Sequence, residues 1–456
     1  MGKLFGTDGV RGVANGELSP ELAFKLGMAG AVVLTRHAQH APRILLGKDT
    51  RLSCAMLDAA LTAGMCAMGA WVYDAGVIPT PGVAYAVRNQ GYDAGVMISA
   101  SHNTFEDNGI KFFSSKGYKL DDGLEDEIEA LILQGLGELP RPTHAGIGNA
   151  EADGGKAKDA YACFLTETAR RELGQDKPLA GMVIALDCAN GATYQVAEDV
   201  FTSLGAQLHM MHSTPDGTNI NADCGSTHMD GLVETVCQTG ADIGIAFDGD
   251  GDRSLFVDER GRIVGGDEVL SICAGHMRAK GRLARGTLVA TVMSNLGLSV
   301  MCEAEGIRLE KTSVGDRYVL EHMLAGGYNL GGEQSGHIIF LDDATTGDGI
   351  LTAIKLLCVL LCEARPLSAA NCRMQLMPQV LVNVPVDNGK KNSHLGYPEI
   401  RQEISVIESD LGGHGRLLVR PSGTEALIRI MLEGRDHKEL ERYAQRLARL
   451  VKQYMS

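Results

Sequence analysis

IGIAFDGDGDR, residues 243–253, sets an apolar run of strand length directly against Asp248, Asp250 and Asp252 at alternate positions. An unbroken Val/Ile-type run closed by a polar turn predicts a strand covered on both faces. Runs of the same kind recur: RILLGKD from Arg43, AGVMISA from Ala94, MVIALDCANG from Met182 and TLVATVMSN from Thr287. Each is followed by a Gly- or Asp-rich turn and then by a helix-like stretch, so the chain predicts parallel-type α/β layers with ligand loops at the carboxyl ends of strands.

A chain of 456 residues exceeds the size at which one core keeps growing, and three or four domains are expected. Gly, Pro and polar residues crowd at LGELPRPTHAGIGNAEADGG, DERGRIVGGD and ARPLSAANC. These breaks divide the chain into α/β domains at 1–150, 151–256 and 257–368 and a C-terminal α+β domain at 369–456. The last begins with QVLVNVPV, continues through RLLVRPSGTEALIRIMLEG, and ends in a segment whose Leu440, Tyr443, Leu447 and Leu450 recur at helical spacing.

The balance of 42 basic against 57 acidic residues, net −15, argues against nucleic acid or an anionic membrane as partner. Eleven scattered cysteines with no C-x-x-C pair favour neither a disulfide framework nor zinc, and a reducing cytoplasm is the expected location. MGKLFGTDGVRG has no signal-peptide core, and the most apolar stretch, Ile350 to Cys362, falls short of the ~20 residues that cross a bilayer and reads as a buried helix.

Four loops carry chemistry. In SASHNTFEDNGIKFF, Ser101 stands beside small Ala100 and beside His102 and Asn103, donors for phosphate oxygens; a bare hydroxyl is a weak nucleophile and must be activated or arrive phosphorylated. In FDGDGDR the three carboxylates repel one another unless a cation intervenes. D-x-D-x-D also matches a calcium loop, but its sixth position holds Arg253 instead of Gly. Mg²⁺ with a phosphate as shared ligand is the preferred reading, a solvated turn the alternative. GGEQSGH offers Glu333, Gln334 and Ser335 to sugar hydroxyls and amines, although alone it reads as a Gly-rich hairpin. RPSGTEALIR offers Arg420, Ser422, Gly423, Thr424 and Arg429 as an anion cradle, with a plain proline turn as the competing reading.

Taken in this order, the four loops resemble the α-D-phosphohexomutase family over essentially the whole chain. The resemblance implies three consecutive α/β domains with mixed sheets and a C-terminal α+β domain around a central cleft. It implies that Ser101 carries the phosphoryl group, that Mg²⁺ is held by Ser101, Asp248, Asp250 and Asp252, that Glu333, Gln334 and Ser335 face the sugar, and that Arg420, Ser422, Gly423, Thr424 and Arg429 bind the non-reacting phosphate. Arg11, Lys111 and Arg253 match cationic positions near the reacting phosphate, and His102 and Lys111 are candidates for the general acid and base. FGTDGVRG and Gln334 are similar to the amino-sugar branch, which implies interconversion of glucosamine 6-phosphate and glucosamine 1-phosphate through a glucosamine (or hexose) 1,6-bisphosphate. Neutral hexose phosphates are the alternative substrates, and a homodimer is the implied assembly. Two residues depart from the family pattern: Thr104 stands where most relatives have proline, and Asp316 where hexose-type relatives often have His. A sugar-phosphate sensor or a serine phosphatase on the same fold is the rival reading; the first has no need of a phosphoryl donor, and the second predicts inorganic phosphate as product.

Overall fold

The computed structural model describes residues 4–455 apart from 7, 138, 140, 388, 413–414 and 423–425. The chain forms two compact units, Met1–Met293 with Ile307–Cys372, and Ser294–Gly306 with Arg373–Ser456.

The first unit contains three mixed sheets. In the first, the spatial order is Val10–Val13, Asp107–Ser114, Ala94–Ile98, Arg43–Lys48, Trp71–Val77 and Ala150–Ala152. The first two pairings are antiparallel and the remaining three parallel. In the second, Ile263–Val264, Ser254–Asp258 and Ile243–Phe247 pair antiparallel, and Ile243–Phe247, Val183–Asp187 and Gln207–Met211 pair parallel. The third runs Arg308–Thr312, Thr287–Thr291, Leu330–Gly332, Ile338–Phe340, with only the last pairing antiparallel. In the second unit Leu427–Glu433 lies between Gln379–Pro385 and Arg416–Pro421, antiparallel to both. The helix His437–Met455 closes that small core with Leu440, Tyr443 and Leu447 of the stripe read from sequence, whereas Leu450, the fourth residue of that stripe, is only partly buried and Val451 takes the core position instead. Three α/β layers and an α+β piece agree with the expected fold class.

Each apolar run quoted above is a strand, and three of the five lead on to a helix as expected: Cys54–Ala67, Tyr194–Ser203 and Leu296–Ala304. After Ala94–Ile98 and Ile243–Phe247 the chain instead turns back as an antiparallel strand. The physical reason lies just beyond the loops, where Ile110, Phe112 and Phe113, and Phe256 and Val257, supply β-branched and aromatic residues that pack on a pleated surface. GGEQSGH likewise bridges a hairpin, with Gly332 opposite Ile338. All three chemical loops of this unit are therefore hairpin connections on the antiparallel sides of their sheets. The stretch from Ile350 lies in the buried helix Gly349–Glu363, whose Lys355 reaches Asp343 (2.8 Å) and Glu172 (3.2 Å). Among the described residues no helix is long and apolar enough to cross a membrane.

Candidate active site

Ser101 follows a strand whose five residues are all buried, and is itself only 1% exposed. It holds φ +53°, a left-handed conformation that costs an L-residue about 1–2 kcal/mol and persists where surrounding structure imposes it. Its hydroxyl donates to Asp248 Oδ2 at 2.6 Å, across 147 residues of sequence. The serine and aspartate loops thus meet at one point.

Asp248, Asp250 and Asp252 are buried, with one carboxylate oxygen from each within 4.8 Å of the others. Gly251 supplies the curl, at φ +73°. At Gly249 a Cβ would stand 2.5 Å from the Ser101 carbonyl oxygen, so glycine allows the two loops to touch. Burial, then the charges of Asp252 and Asp250, push the Asp248 carboxyl up to about 8. Asp252 is held well below the usual range, its burial outweighed by His337, Lys111 and Arg253. Among the described residues Asp250 Oδ1 and Asp252 Oδ1 are buried without a hydrogen-bond partner. Three converging carboxylates with orphaned oxygens fit a hard divalent cation, which would quench their repulsion and accept those lone pairs.

Positive charge is arranged around this cluster. Lys111, on the return strand opposite Met97, donates to Asp250 Oδ2 at 2.8 Å and lies 2.9 Å from Asp8. Burial disfavours its charge, but Asp250, Asp8 and Asp252 outweigh that and raise its pKa. Lys111 is therefore an ammonium, suited to stabilising anionic oxygens and unsuited to act as a base. Asp8 also binds Arg11 and, at 2.5 Å, Lys119, which in turn pairs with Asp316. Arg253 donates from its backbone N–H to Asp248 Oδ1 (3.2 Å) and from its guanidinium to His102 Nδ1 (3.2 Å). Burial, then the charges of Arg253 and Arg11, depress His102 to about 4, so its imidazole is neutral near pH 7.

Glu333 accepts from Gly315 N–H at 3.0 Å, and its charge is among those that raise the Arg253 pKa. Gln334 is exposed, Ser335 half-buried. Ser335 Oγ has no hydrogen-bond partner among the described residues. His337 closes this loop, 3.5 Å from Asp252 and 3.8 Å from Asp316. Burial disfavours a second proton on it, but Asp252 and Asp316 prevail and raise its pKa. A cavity of about 240 Å³ is bordered by Asp8, Lys111, Lys119, Asp316 and His337. In the second unit Arg420 stands directly opposite Arg429 in the strand pair, and Ser422 N–H donates to Leu427 O at 2.9 Å. Gly423 and Thr424 lie outside the described residues.

Sequence reading missed Thr80, which donates to Asp250 from its hydroxyl (2.6 Å) and its N–H (2.9 Å). It also missed Asp8, Lys119 and His337. Asp8 and His337 lie inside quoted motifs; Lys119 carries no local signal. A further group, Asp187, His212 and Cys224, converges although no sequence spacing announced it. There Asp187 accepts from Ala189 N–H (2.9 Å) and Gly225 N–H (3.0 Å) and lies 3.0 Å from His212 Nδ1, the work of a turn anchor.

Profiles described as phosphoglucomutase/phosphomannomutase match domain I at residues 2–136, domain II at 159–261, domain III at 265–376 and the C-terminal domain at 381–450. The chain is 53% identical to the phosphoglucosamine mutase of Caldicellulosiruptor bescii over 100% of both chains. It is 51% identical to that of Acetivibrio thermocellus over 99% of both. A phosphoglucomutase/phosphomannomutase family protein of Burkholderia thailandensis shares the fold at TM-score 0.80 and 22% identity, covering 100% of this chain and 99% of that one. Aspergillus fumigatus N-acetylphosphoglucosamine mutase, solved with GlcNAc-6P and magnesium, does so at 0.71 and 17%, covering 100% and 96%.

Proposed function

The chain belongs to the phosphoglucomutase/phosphomannomutase family, and on that premise we propose that it interconverts glucosamine 6-phosphate and glucosamine 1-phosphate through a phosphorylated Ser101. The observation that carries this reading is the Ser101 hydroxyl, 2.6 Å from Asp248 inside a buried trio of aspartates. Identity to amino-sugar mutases over the full chain supports the substrate.

In the first half-reaction the O1 hydroxyl of glucosamine 6-phosphate attacks phosphorus on Ser101. The new O1–P bond forms, the Oγ–P bond breaks, O1 loses its proton and Ser101 Oγ regains one. The resulting 1,6-bisphosphate turns over within the site, the 6-phosphoryl group returns to Ser101, and glucosamine 1-phosphate leaves. Mg²⁺ held by Asp248, Asp250, Asp252 and a phosphate oxygen on Ser101 would neutralise the non-bridging oxygens. Lys111, Arg11 and Arg253 add fixed positive charge where negative charge develops. Lys111 is an electrostatic partner in this scheme, and the proton is left to groups with a neutral form, His102 and His337. Glu333, Gln334 and Ser335 hold the sugar, and Arg420, Ser422, Gly423, Thr424 and Arg429 hold the distal phosphate in either orientation. The 1,6-bisphosphate also serves as activator by phosphorylating Ser101, and the cytoplasm is the working compartment. One domain per chemical loop, three α/β and a C-terminal α+β, is retained in this scheme, with the boundaries read at 150 and 256 moved past Ala152 and Val264, because Ala150–Ala152 pairs in the first sheet and Ser254–Asp258 and Ile263–Val264 pair in the second.

Turnover of Ser101→Ala, assayed with glucosamine 6-phosphate and Mg²⁺, is expected to fall at least about a thousand-fold, with intact mass showing one phosphate on wild-type protein and none on the variant. Isomerisation by Ser101→Ala near the wild-type rate would overturn the reading. Comparing kcat/KM for glucosamine, glucose and mannose 6-phosphates decides between amino-sugar and neutral hexose substrates.

A further inference from the structure

A loop that bends through a left-handed serine turns its carbonyls inward, and buried carbonyls need donors. Four of them, those of Ser101, Asn103, Thr104 and Asp107, converge on one side chain. Arg51, fully buried, donates from one terminal nitrogen to Ser101 O (3.0 Å) and Asn103 O (2.8 Å). The other terminal nitrogen donates to Thr104 O and to Asp107 O (3.1 Å), and Nε–H to Asp49 Oδ2 (2.8 Å). A guanidinium has five N–H donors, and each one here has its own acceptor. Asp49 neutralises the charge and reaches the serine from the opposite side: Ser99 Oγ donates to it at 2.6 Å and accepts the Ser101 N–H at 3.0 Å. The peptide groups on both sides of Ser101 are thereby fixed, which is what a φ of +53° requires. Asn221 adds a brace from a turn that follows the strand Gln207–Met211, its Nδ2 lying 2.8 Å from both Ser101 O and Asn103 O.

We propose that Arg51, with Asp49 as its counter-charge, is the positioning residue that aims Ser101 at the aspartate cluster. It touches no reacting atom. Lysine cannot substitute, since a single ammonium cannot span acceptors laid out for a planar fork.

This inference rests on the phosphoserine reading. In Arg51→Lys, kcat is expected to fall about 100-fold, the size of effect produced by a roughly 1 Å misplacement of a reacting group. KM should stay within about three-fold, because sugar and distal phosphate are held elsewhere. Asn221→Ala, which removes only the outer brace, should lose about ten-fold in kcat with the same unchanged KM. Should Arg51→Lys fail to fold, Asn221→Ala decides. A folded Arg51→Lys with kcat within three-fold of wild type, or matched losses in kcat and KM-derived binding in both variants, overturns the clamp. Ser101→Ala run alongside separates the claims: if it stays active, the phosphoserine reading falls and the clamp with it; if it is inactive while both other variants are normal, only the clamp falls.

Discussion

Around Lys111 the positive charges face carboxylates of the protein itself: Lys111 lies between Asp250 and Asp8, Lys119 between Asp8 and Asp316, and Arg253 beside Asp252. In the strand pair of the second unit, Arg420 stands across from Arg429, and burial together with that neighbouring charge lowers the Arg420 pKa. Like charges directly opposite in a sheet cost stability. The first region spends its charges on fixing its own geometry, whereas the second holds like charges side by side, an arrangement that the dianion of the proposed reaction would relieve. In that proposal reactivity depends on the first and affinity on the second.

The contrast can be broken most forcefully at Lys111. Lys111→Met leaves Asp250 buried without its ammonium partner and takes one of three cations from Asp8, and should lower unfolding stability by about 3–5 kcal/mol, read from urea unfolding, with turnover nearly lost. Arg420→Gln should do the reverse. KM for the sugar phosphate rises about 10–100-fold through loss of a charge-assisted contact, while stability stays level or improves by about 0.5 kcal/mol as the facing charges are relieved. A destabilisation of Arg420→Gln comparable to that of Lys111→Met would erase the distinction. The smallest effect lies away from both regions and calibrates them. Hydrogen bonding from Arg282, with help from Lys355 against burial, holds Glu172 down at about 2. A depressed carboxylate stabilises above its unfolded pKa and loses that stabilisation as pH falls toward the folded value. Glu172→Gln should therefore cost about 1 kcal/mol at pH 7 after solvent screening, and the difference from wild type should close between the ordinary value of 4.5 and about 2.

Much of this was visible in the sequence because strand-then-loop patterning is local. Ser101 and the three aspartates follow buried runs that end where polar residues begin, and the fold class followed from the recurrence of those runs. The return strands depart from the helices that the pattern predicts, because a polar turn after a buried run looks the same whether the chain goes on to a helix or doubles back through GIKFF or SLFVD. The sequence makes Lys111 a candidate acid or base, but its charge state is set by Asp8, near the start of the chain, and by Asp250, 139 residues beyond Lys111. Arg51 sits in GKDTRLS, beside a quoted strand, yet the four carbonyls it collects belong to residues 101 to 107. Pairings of that span leave no spacing to read.

The hairpin formed by Ala94–Ile98 and Asp107–Ser114 carries Ser101, the proposed phosphoryl acceptor, in its connection and the Lys111 ammonium on its return arm. Because side chains along a strand alternate between faces, adding or deleting one residue between Asp107 and Lys111 would swing that ammonium to the opposite side of the sheet. The span from 94 to 114 therefore behaves as a single indivisible cassette: substitutions can be accommodated within it, but changes of length cannot.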